Sequence, residues 1–104
     1  MAKYLFVYHR GNPPTSDDEM AKRMDQGGQW FGSMGTALID GGNPVFGNST
    51  VSGDGSVAKS GGANTASGYS LVETASTEDG HGMARGCPIL QHGGTVEVGE
   101  AQDM

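Results

Sequence analysis

The chain has 104 residues, the size of one small domain spanning 1–104. Twelve Asp and Glu against six Lys and Arg give a net charge of −6. That balance leaves no basic footprint for a phosphate backbone or an anionic lipid surface, so neither nucleic acid nor membrane is an expected partner. Leu, Ile, Val and Phe number only 16 and Gly 19, a thin supply of core. The apolar residues nevertheless cluster densely at 1–8, 68–74 and 95–98, which argues for a fold rather than disorder. Burial against a second copy would offset the thin core, so a homodimer is expected. No run reaches the roughly 18 apolar residues of a membrane span. The N-terminus carries no signal-peptide pattern, and one Cys rules out an internal disulfide, so a cytoplasmic location is expected.

Residues 3–9 (KYLFVYH) form a continuous apolar run, which predicts a central strand buried on both faces. Gly11-Asn12-Pro13-Pro14 stops it. Ser16-Asp17-Asp18-Glu19 reads as a capping box that opens a helix. Met20, Met24, Gly27, Phe31, Met34 and Leu38 recur at spacings of three and four, which predicts the buried stripe of that helix. Trp30 then lies about 100° away, at the edge of the stripe. Gly27 and Gly28 weaken the helix by about 1 kcal/mol each relative to Ala, which calls for a close-packing neighbour or a bend. Gly35 fits a C-cap.

Residues 37–40 predict a short strand ended by Gly41-Gly42-Asn43-Pro44. Residues 49–52 and 56–59 flank Gly53-Asp54-Gly55 as a hairpin. Residues 60–67 read as a loop, and 68–74 (GYSLVET) as the second strong strand. Ser76 caps a weak helix running to about Arg85, which Gly86-Cys87-Pro88 ends. Val96 and Val98 alternate with Glu97 in a last strand at 95–100. The order strand, helix, strand, hairpin, strand, helix, strand predicts an α+β fold. Its four-stranded antiparallel sheet would carry both helices on one face, and a second subunit would cover the other.

With its aromatic first strand, its Gly-Tyr-Ser-Leu-Val-Glu strand and its closing Gly-Gly-Thr-Val-Glu-Val, the chain resembles the YCII-related family, closest to the DGPF-domain branch. The resemblance covers nearly the whole chain. It implies a ferredoxin-like, dimeric α+β barrel with a cleft beside the sheet, holding a small-molecule ligand. It also implies two functional classes, a lyase or isomerase and a non-catalytic module of the kind associated with sigma-factor proteins. Family members with a His–Asp pair carry the His on the first helix and the Asp before a Pro after the second. Here residues 17–34 contain no His, Met24 or a neighbour standing in its stead, and Cys87 precedes Pro88. Ser60-Gly61-Gly62-Ala63 stands where the branch has its DGPF tetrad.

The residues themselves offer other candidates. His9, at the end of the first strand, is the candidate general base, with Asp40 as its orienting partner. Trp30, Gly41, Gly42, Asn43 and Tyr69 are the candidate ligand-binding residues, since glycine-rich loops free backbone N–H groups to line a pocket. Cys87 shares a helical spacing with Met83 and Leu90 and is expected to be a buried thiol. His92 is expected in a solvated turn. The three His are too scattered for a metal site, and no cofactor is expected.

Overall fold

The computed structural model describes residues 1–62 and 64–103. Ala63, the last position of the expected tetrad, lies outside the described residues. Among the described residues, six strands and two α-helices follow in chain order: β1 (Ala2–His9), α1 (Asp17–Met34), β2 (Leu38–Asp40), β3 (Thr50–Val51), β4 (Val57–Ala58), β5 (Ala66–Thr74), α2 (Thr77–Ala84) and β6 (Thr95–Ala101). Short 3-10 turns at Gly35–Ala37 and Pro88–His92 follow the two helices. The fold is α+β. Its main sheet has the order β2-β5-β1-β6 with every neighbouring pair antiparallel, and β3 and β4 form a separate hairpin. Each helix therefore connects two strands that have a third strand between them.

Local chemistry accounts for the helix ends. Ser16 Oγ accepts the backbone N–H of Glu19, and Ser76 Oγ accepts that of Asp79. Glu19 does not reach back to Ser16 as a capping box would. Its carboxylate accepts from Thr15 N and Thr15 Oγ1 instead. Gly35 ends α1 at a φ of 56°, open to glycine without strain. Gly27 and Gly28 interrupt nothing: α1 runs unbroken through them, and a Cβ at either would meet no neighbour within 4 Å.

Both helices lie on the sheet face that carries Tyr4, Phe6 and Tyr8. Trp30 of α1 stacks on Phe6 with centroids 6.3 Å apart. Gly80 of α2 faces Tyr4, Thr74 and Val98. The core is Tyr4, Phe6, Trp30, Val72, Ala84 and Cys87, with Met34, Leu38, Val96 and Val98 packed around it.

Two expectations are corrected here. Residues 3–9 are not buried on both faces: Leu5 is 39% exposed and pairs with Leu71 on the opposite face, which neither helix covers. The buried stripe of α1 is also rotated from its expected position. Met20 and Met24 are 50% and 73% exposed, whereas Trp30 is the one buried residue of the helix. The largest aromatic fills the space above Phe6, and that choice sets the rotation. One layer of helices on one sheet gives a flat body of 44 × 42 × 18 Å. Its radius of gyration is 14.9 Å, against about 13 Å for a compact chain of this length. Among the described residues, no helix is long and apolar enough to cross a membrane.

Candidate functional site

A cleft of about 560 Å³ opens between α1, the end of β1, the loop after β2 and the Pro88–His92 turn. That volume is in the ordinary range for small-molecule sites. Its lining includes Trp30, Gly41, Gly42, Asn43 and Tyr69, so all five candidate ligand-binding residues meet here. His9 and Asp40 do not line it.

The loop is held from three sides. Asp40 Oδ1 accepts the Gly42 N–H at 2.8 Å, so the short acid turns the chain at the end of β2. Ser70 Oγ donates to the Gly41 carbonyl at 2.7 Å, and Asn43 Nδ2 donates to the Tyr69 hydroxyl at 3.2 Å. Gly42 has a φ of 72°, and a Cβ there would fall 1.8 Å from the Tyr69 carbonyl oxygen. Only glycine fits that approach.

Aromatic rings build the inner wall. Trp30 stacks on Phe31 at 5.4 Å and meets Tyr8 edge-on at 6.0 Å, while its Nε1 donates to the Met83 carbonyl at 2.9 Å. The Tyr8 hydroxyl donates to Ser70 Oγ at 2.7 Å. Burial pushes its pKa up to about 12, a rise partly offset by the Ser70 hydrogen bond. Burial likewise raises the Cys87 pKa, as expected of a buried thiol. Both groups are therefore neutral at physiological pH.

Cationic groups edge the cleft. Arg10 lies over the Phe46 ring at 5.6 Å from its centroid. On α1, Arg23 donates from Nη1 to the Asn12 carbonyl at 2.6 Å and from Nη2 to Glu19. Its carboxylate bonded by Thr15 and Arg23, Glu19 is held at about pKa 2. Asn12 N in turn donates to the His92 carbonyl at 2.6 Å, which brings Arg23 and His92 to one end of the cleft. His92 is half-buried rather than solvated.

The expected His9–Asp40 pair does not form. His9 is buried and lies with Val7 on the sheet face away from the helices, Nε2 at 3.0 Å from Glu97 Oε1 and Nδ1 at 3.3 Å from the Thr65 carbonyl. Antiparallel register explains this. His9 pairs with Thr95 and Val7 with Glu97, so the period-2 alternation sets His9 and Glu97 diagonally on one face. Arg23, Tyr8 and His92 were not picked out from sequence as cleft residues. The Glu19–Arg23 spacing of four on a helix was the one available signal for Arg23. Among the described residues, no three His, Cys, Asp or Glu gather as a metal site. Comparison with protein-family models and with curated proteins finds no match for the chain.

Proposed function

We propose that the protein binds a small molecule in the cleft between α1 and the residues 41–44 loop, on a ferredoxin-like, YCII-related fold that pairs into a dimeric α+β barrel. The observation that carries the binding reading is the convergence of five residues from three separate segments on one pocket with aromatic walls. The strand order β2-β5-β1-β6, with two helical crossovers on one face, supports the ferredoxin-like reading. The uncovered apolar face at Leu5, Val7 and Leu71 supports pairing of two sheets.

Binding is favoured over lyase or isomerase chemistry by one specific feature. His9 is engaged with Glu97 on the far side of the sheet, so the cleft lacks an imidazole–carboxylate dyad.

Gly27→Leu tests the binding reading, because Gly27 lines the cleft and has open space above it. Small aromatic probes should shift the NMR resonances of Trp30, Gly41–Asn43 and Tyr69 in the native chain. The variant should keep its fold and lose those shifts. Unchanged binding in Gly27→Leu would remove the cleft from consideration. Light scattering should give about twice the 10.7 kDa protomer mass, falling to one protomer in Leu5→Glu. A native monomer would end the barrel reading.

A further inference from the structure

In a chain with twice as many acidic as basic side chains, the cleft is lined by Arg10, Arg23 and His92 and by no carboxylate. Solvation alone would not sort charge this way. The interior of the cleft carries a second sign of the same preference. Among the described residues, two buried side-chain polar atoms have no hydrogen-bond partner, Arg23 Nε and His92 Nε2. Both belong to cleft residues, and both can present an N–H. A buried donor left without an acceptor costs about 1–3 kcal/mol, so Arg23 Nε, and His92 Nε2 in the tautomer that protonates it, each call for an acceptor.

We propose, on the reading that the cleft binds a small molecule, that its ligand is an aromatic carboxylate. The carboxylate is received by Arg23 Nε and His92 Nε2, and the ring lies in the aromatic portion of the cleft beside Trp30 and Phe31. Arg23 is already oriented for this by Asn12 and Glu19, so its guanidinium needs no ordering when the ligand arrives. Glu19 also offsets part of its charge, which suits a monoanion better than a phosphate dianion. The neutral hydroxyl of Tyr8 and thiol of Cys87 add no negative charge to oppose it. At Gly27, Gly41 and Gly68 the lining carries no side chain, which leaves flat space for a ring.

The test uses three probes of one shape class: 2-naphthoate, its neutral isostere 2-naphthamide, and 2-naphthyl phosphate. Calorimetry gives the affinities, and the Arg23 Nε–H and His92 ring resonances report the contact. Naphthoate should bind at least about tenfold tighter than naphthamide and shift both resonances. Arg23→Lys keeps the positive charge without the guanidinium donor, and His92→Phe keeps a ring without a donor. Each should cut naphthoate affinity about tenfold and naphthamide affinity by clearly less, because the neutral amide carbonyl makes the weaker bond to the same donors. Equal binding of naphthoate and naphthamide, or equal loss of both in the variants, overturns the carboxylate proposal while the cleft remains a binding site. Tighter binding of the phosphate overturns it in favour of a dianion. No binding of any probe at millimolar concentration overturns both the proposal and the binding reading.

Discussion

The two halves of α1 lie in one unbroken helix yet face different surroundings. From Gln26 onward the inner face is aromatic: Trp30 is 8% exposed, and Phe31 and Met34 pack beside it on the core. Before Gln26 the half-buried positions are Glu19 and Arg23, while the apolar Met24 points to solvent. An amphipathic helix that served only stability would carry its apolar stripe inward along its whole length. Here the buried apolar stripe holds over the core and stops short of the first half. The first half gives Met20 and Arg23 to the cleft, whereas the second half serves fold and cleft together, since Trp30 and Phe31 pack on the core and also line the pocket.

That division is broken most directly at Trp30. Trp30→Ala removes the ring that stacks on Phe6 and Phe31 and should cost about 3–5 kcal/mol, read as a fall in urea midpoint. A loss under 1 kcal/mol would mean that the second half is not the stabilising one.

Tyr8 lies where the two regions meet, and its behaviour is pH-dependent. Its folded pKa is raised above the unfolded value of 10, so its contribution is fully present below pH 10 and is lost as pH rises towards 12. Tyr8→Phe should flatten the stability curve over that window. At neutral pH it should cost about 1 kcal/mol through the lost bond to Ser70. A native curve that is already flat between pH 10 and 12 would contradict the burial of this hydroxyl.

Gly28 sharpens the comparison with a gain. It is exposed, and a Cβ there meets nothing, so Gly28→Ala should stabilise the helix by about 1 kcal/mol. Destabilisation instead would reveal a packing role for this face. The smallest effect is expected at Met24. Met24→Gln should lie within about 0.5 kcal/mol of the native chain in the same denaturation experiment, because its side chain is mostly in water. A loss of 2 kcal/mol or more would restore Met24 to a buried stripe.

Much of the architecture was legible one segment at a time. KYLFVYH, GYSLVET and TVEVGE each became strands, and Ser16, Gly35 and Ser76 became caps, because strand propensity and capping depend on near neighbours in sequence. That the residues 41–43 loop would border a cleft was also legible, since a glycine-rich loop after a strand is a local signal. Rotation of α1 was not. Phe31 and Trp30 are adjacent, and which of them lies deepest depends on the shape of the sheet beneath, where Phe6 leaves room for an indole. The partner of His9 was not legible either.

The sequence by itself determined the element order, the helix caps, the turn at Gly42 and the shortage of core that leaves one sheet face bare. Each follows from local backbone preference or from composition. Tertiary structure alone decided that His9 meets Glu97, that Trp30 displaces the methionines, and that Arg23 and His92 share an end of one cleft. Those outcomes depend on strand register and on side-chain volume across residues as far apart as 9 and 97. A one-residue change of register moves a side chain to the other face, and no local pattern records it.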